Sequence, residues 1–208
     1  MKTKKLNLIK IALLALIVSA STSCSKQVDK PKILDLSSKV LSAQALNQVI
    51  LKISDRVKER ELYRGKMVNG IKTNVVTEDP EMELLMEPLI ENGEILHQEM
   101  VDFISVTEEF QQLSQEEKDE ILYFDDSELA TLSFTMSVQS QSSSVDWGRV
   151  RSCASFALGV AGIKSLFTDT LALGTVETAL GALKLVGKRY LGYIGVALMI
   201  YDFADCLS

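Results

Sequence analysis

The chain has little of what most catalytic sites are built from. Its 208 residues include a single histidine (His97), three cysteines, three prolines and one tryptophan. One histidine excludes His-x-x-x-His and His-Glu-x-x-His metal pairs and leaves a Ser-His-Asp relay only one place to form. His97 stands in the run Ile95-Leu-His-Gln-Glu-Met100, where helical periodicity makes it a partly exposed helix residue rather than a ligand. Three prolines exclude a proline-rich ligand tract. No Gly-Lys-Ser/Thr phosphate loop is present: Gly159-Val-Ala-Gly162, Gly181, Gly187-Lys188-Arg189 and Gly192-Tyr-Ile-Gly195 read as packing glycines. A Gly-x-Ser-x-Gly elbow is also missing. No acidic segment combines the alternating oxygens, central glycine and closing glutamate of a calcium loop. The expectation is a protein without catalytic, cofactor or metal site, and not an enzyme.

Cations are nearly absent from the middle of the chain. Residues 73–144 hold one, Lys118, against 18 acids, a net −17, whereas residues 25–72 hold 11 cations against 5 acids. Residues 1–24 carry four lysines and no acid, and residues 145–208 carry 6 cations and 5 acids. An acidic middle argues against nucleic acid, which requires a basic face to neutralise phosphates. The basic stretch is expected to meet the acidic stretch of its own chain.

Long apolar runs are lacking as well. The longest in the second half, Tyr190–Tyr201, has twelve residues and Ala154–Ile163 has ten, well short of the ~20 that cross a bilayer. At the start, a lysine-containing segment Met1–Lys10 precedes the apolar run Ile11–Val18, which is followed by the small residues Ser19–Ser23 and then Cys24. That order is a secretory signal. With Cys24 directly after the small residues, it resembles the type II signal peptide of bacterial lipoproteins. Ser21-Thr22-Ser23-Cys24 departs from the common lipobox, which prefers leucine three residues before the cysteine, and is similar to the relaxed boxes of the Bacteroidota. The resemblance covers only this segment. It implies removal of residues 1–23, lipidation of Cys24 and anchoring in the cell envelope, at the outer membrane facing the periplasm or the cell surface. Buried acyl methylenes contribute about 0.8 kcal/mol each, so two or three chains hold a protein on a bilayer without a spanning helix.

With Cys24 assigned to lipid, Cys153 and Cys206 remain, and an exported chain meets an oxidising compartment. They are expected to form a disulfide spanning 53 residues; two buried reduced thiols are the alternative.

The mature chain reads as all-α. Residues 24–35 form a polar lipidated tether, and residues 36–136 an amphipathic helical domain. Within it, Val40, Leu46, Val49, Ile50, Ile53 and Val57 recur at three- and four-residue steps over Leu36–Tyr63, one face of a helix. Asp35, Ser37 or Ser38 would cap its start. The glycines and prolines of 64–93 predict connections with one short helix near Glu81–Met86. A helix over Glu94–Leu113 follows, then one opened by the capping box Ser114-Gln-Glu-Glu117, then one from Asp125-Asp126 to Met136. The run Ser137–Ser144 predicts a Ser/Gln linker and a domain boundary. Residues 145–208, with eight glycines and no proline, predict a small apolar bundle of three helices that buries its faces on itself. Small residues at four-residue spacing (Ser155 and Gly159; Ala157, Ala161 and Ser165) permit its close packing.

Two function classes follow. One is a non-catalytic envelope lipoprotein, a helical binding or structural module partnered with the membrane and with another envelope protein. The other rests on residues 145–208, which are similar in general character to helical Gly/Ala-rich bacteriocin-like peptides: a membrane-active module masked by the acidic region.

Overall fold

The computed structural model describes residues 33–60, 67–68, 71–72, 79–140, 149–150, 152–153, 174–187 and 191–208. All of them fall within one compact unit, 32–208. Among the described residues the fold is all-α, with seven helices: α1 (Ala43–Glu59), α2 (Pro80–Ile104), α3 (Glu108–Gln111), α4 (Gln115–Leu122), α5 (Asp126–Ser140), α6 (Val176–Gly187) and α7 (Gly192–Leu207). Two-residue strands β1 (Met67–Val68) and β2 (Ile71–Lys72) pair antiparallel, Met67 opposite Lys72.

α1 forms where the apolar stripe lies but starts later than Leu36. Asp35 does accept a hydrogen bond, from Ser37 N–H, yet this closes a turn. The helix cap is Ser42, whose Oγ accepts from Ala45 N–H at 3.2 Å. Leu46, Val49, Ile53 and Val57 are buried as the stripe requires.

α2 merges the two helices expected at 81–86 and 94–113 into one. Pro88 removes only its own N–H, and the bond lost would have gone to Leu84 O. Both residues lie on the exposed face, where an orphaned carbonyl costs least. Met82, Met86, Leu89, Leu96, Met100 and Ile104 are fully buried along the opposite face. Gly93, expected in a connection, is instead where α5 crosses: an added Cβ would sit 2.1 Å from Leu129 O.

The capping box at Ser114 forms as expected, with Ser114 Oγ accepting from Glu117 N–H while Glu117 Oε2 accepts from Ser114 N–H at 3.0 Å. A second reciprocal cap, missed in the sequence, opens α5: Asp125 Oδ1 accepts from Glu128 N–H, and Glu128 Oε2 from Asp125 N–H.

α5 is the centre of the molecule. From Leu129 to Gln139 every residue is buried, so the helix has no solvent stripe. Several of its hydroxyls are bonded inside, while Thr135 Oγ1 is buried without a hydrogen-bond partner among the described residues. Ser133 Oγ donates to Asn92 Oδ1 at 2.8 Å, and Asn92 Nδ2 donates onward to Lys39 O at 2.6 Å. Ser137 Oγ accepts from Leu41 N–H, and Thr131 Oγ1 donates back to Ser127 O.

Two expectations are corrected here. Ser137–Ser140 are the last turn of α5 rather than the start of a linker, and Ser137 is fully buried; residues 141–144 lie outside the described residues. The C-terminal region is not a bundle closed on itself, because α6 and α7 bury faces on the helices that precede them. α7 packs chiefly on α1 and α5, and α6 on α4, α2 and α5. One hydrophobic cluster runs from Leu36 through Val138 to Phe203. The serines and glutamines read as linker because polar composition signals exposure, whereas here hydroxyls bonded to backbone and to Asn92 make burial tolerable.

Opposite charges close the fold. Arg56 binds Asp79 with both carboxylate oxygens at 3.1 Å and reaches Glu81 at 2.7 Å, pinning the end of α1 to the start of α2. Lys39 pairs with Glu99. The basic stretch thus meets the acidic one at these residues.

Candidate functional site

Cys24, the expected lipidation residue, lies outside the described residues. Cys153 and Cys206 are joined in a disulfide, their Cα atoms 5.5 Å apart. It ties a helical residue before the 154–173 stretch to the last turn of α7. Among the described residues no group of three or more His, Cys, Asp and Glu side chains is placed to hold a metal ion.

An open groove of about 680 Å³ lies between α2 and the turn from α4 to α5. Ile95, Leu122, Tyr123, Phe124 and Leu129 form its apolar lining, with Glu94, His97, Gln98 and Glu99 along α2. His97 builds it. Its Nε2 lies 2.7 Å from Ile121 O; a carbonyl only accepts, so Nε2 carries the proton and donates. The imidazole also stacks on Phe124, centroids 4.5 Å apart and planes inclined at 25°. One side chain therefore holds the end of α4 and the floor of the groove against α2. That is the partly exposed helix histidine expected from sequence, with a positioning role that was not legible there.

Two large apolar side chains stay in water at the rim, Ile95 at 49% and Tyr123 at 75% exposure. Among the described residues, no lysine or arginine lines the groove. The α4–α5 turn also borders a smaller cleft of about 310 Å³, lined by Asp125, Asp126, Ser127, Gly192 and Tyr193. There Tyr193 donates its phenol proton to Asp126 Oδ2 at 2.8 Å. Burial, that bond, and the nearby carboxylates of Asp126, Glu83 and Asp125 push the phenol up to about 12. Acids from α2 and from the start of α5 converge on this turn.

Elsewhere the acids are structural. The Lys184 ammonium, bonded at 2.8 Å, and then Ser114 bring Glu117 down to about 2. Burial pushes Asp79 up, but the Arg56 guanidinium and the Glu81 N–H outweigh it and leave the carboxyl below its ordinary value. Neither faces a cleft with a nucleophile or a second catalytic group.

Sequence reasoning missed the groove residues. The available signal was Leu84, Pro88 and Ile95 among glutamates on one exposed face of α2, too sparse to separate from ordinary surface scatter. Tyr123 and Phe124, at the end of a helix, became groove residues only through the approach of α2. Comparison with protein-family models, with curated proteins and with solved structures finds no match to this chain.

Proposed function

We propose that the chain is a non-catalytic cell-envelope lipoprotein, anchored to the membrane through Cys24, whose helical body binds another envelope protein. The observation that carries the address is the order of lysines, apolar run, small residues and cysteine over Met1–Cys24. The binding role is supported by a preformed groove with an apolar lining and exposed rim, without a nucleophile–base pair in it. In this reading the acidic helices of 79–140 present the surface, and the apolar, glycine-rich region 145–208 backs them. Nucleic acid is not a partner, because the same carboxylates repel phosphate.

Radiolabelled palmitate tests the anchor. Label is expected on the wild-type protein and not on Cys24→Ala; label retained by Cys24→Ala puts the lipid elsewhere. Recovery of the intact chain, Met1 included, from the soluble fraction of its host overturns the anchor altogether.

A second reading is a membrane-active C-terminal module. Among the described residues no single helix is long and apolar enough to cross a membrane, but α6 and α7 together, as a bent pair, satisfy length and composition. Against it stand the net charge of +1 over 145–208, low for a membrane-attacking helix, and the burial of Ala179, Leu183, Val196 and Ile200 in the common core. Dye release from anionic vesicles, before and after a protease cut introduced at 141–144, decides. Strong release after cleavage favours this reading and none removes it.

A further inference from the structure

Resting on the binding role proposed above, we infer that the groove between α2 and the α4–α5 turn is a docking site for a cationic amphipathic segment of a partner protein, its apolar face on Ile95 and Tyr123 and its lysines or arginines against the α2 glutamates.

Three observations converge on that occupant. The groove is preformed, because His97 is bonded to Ile121 O and stacked on Phe124, so a ligand need not order its floor. Its rim exposes an aliphatic and an aromatic side chain, Ile95 and Tyr123, an anchor type that a wholly polar ligand leaves unused. Among the described residues the charges that line it are acidic. α2 carries seven acids and no lysine or arginine across its 25 residues. Glu87, Glu91 and Glu94 are exposed on its outer side, and Asp125 and Asp126 stand at the far end of the turn. Of the two lining acids, Glu99 is bonded to a cation, Lys39. A field of this sign accelerates encounter with a basic segment and repels anionic lipid headgroups and nucleic acid. The combination of apolar anchors with flanking carboxylates fits a helix laid in a groove, with its own apolar residues at three- and four-residue spacing and basic residues beside them.

The test uses the full chain in non-ionic detergent, with detergent-only blanks, and two fluorescein-labelled 18-residue peptides. One places leucines at three- and four-residue spacing among lysines; the other is its scramble, equal in composition and charge but without an apolar face. Anisotropy titration should show the amphipathic peptide binding at least tenfold more tightly than the scramble. Tyr123→Asp and Ile95→Asp should each weaken it tenfold or more, and the fully surface-directed Glu94→Lys severalfold. Leu51→Asp, on the exposed side of α1, should leave it unchanged. Circular dichroism confirms that each variant is folded. Equal binding of the two peptides, no binding, or an equal loss in Leu51→Asp overturns the proposal. So does concentration-dependent self-association abolished by Tyr123→Asp, which would make the occupant a second copy of this chain. Palmitate labelling is independent of this measurement, so failure of the anchor and failure of the groove are read separately.

Discussion

At the scale of single residues, two glycines have opposite roles. Gly93 lies where α2 and α5 touch backbone to backbone, and a Cβ there meets Leu129 O at 2.1 Å. Neither partner can yield, because one is helix backbone in the middle of the core. Gly93→Ala should cost about 2–3 kcal/mol, read as a lower urea midpoint with an unchanged slope. Gly181, on the exposed side of α6, has nothing among the described residues within 4 Å of its missing Cβ. Gly181→Ala should therefore stabilise by about 0.5–1 kcal/mol, since alanine removes backbone entropy from the unfolded chain at no steric cost. Equal effects at the two positions would refute the packing account. The sequence placed Gly93 in a connection and Gly181 in a helix; only the neighbour decides which one is needed.

Helices are held to one another by a few charged contacts that the sequence could announce only as a trend. Basic residues upstream and acids downstream predicted attraction, and Arg56 with Asp79 and Lys39 with Glu99 realise it. Asp79 is only 5% exposed, so Arg56→Ala takes the bidentate guanidinium from a buried carboxylate and should destabilise by about 3 kcal/mol near neutral pH. The check is chemical denaturation, with Arg56→Lys recovering only part because one ammonium cannot grip both oxygens. The tie between α4 and α6 depends on pH. Glu117 titrates at about 2 instead of 4.5, so its contribution is complete above the unfolded value and disappears as pH falls through the folded one. Stability should decline between about pH 5 and pH 2, and Glu117→Gln should flatten that decline while lowering stability at neutral pH. An unchanged acid limb in Glu117→Gln would show that other carboxylates dominate it.

At the scale of the whole molecule, the bridge Cys153–Cys206 joins residues 53 apart in sequence. Closing so long a loop in the unfolded chain should stabilise the native state by about 4 kcal/mol, on a chain-entropy argument. Reductant, or the double substitution Cys153→Ser with Cys206→Ser, should lower the urea midpoint accordingly. A reduced protein as stable as the oxidised one would contradict it. Because α7 packs on α1 and α5, the loss should register across the entire body in one cooperative transition. A separate early transition of the C-terminal helices would revive the independent domain expected from residues 145–208.

The sequence by itself determined the helical class, the stripe of α1, the capping box at Ser114 and the pairing of the two later cysteines. Each is a local or arithmetic signal: spacing, a hydroxyl three residues before a carboxylate, or two cysteines flanking one apolar segment. Tertiary structure alone decided that α2 runs unbroken through Pro88 and Gly93, that the polar helix α5 is central, and that the acidic and apolar halves share one core. It alone formed the groove. Those outcomes depend on which surface faces which. A proline is harmless only if its orphaned carbonyl meets water, and serines go inside only if Asn92 and the backbone of Leu41 are there to bond them.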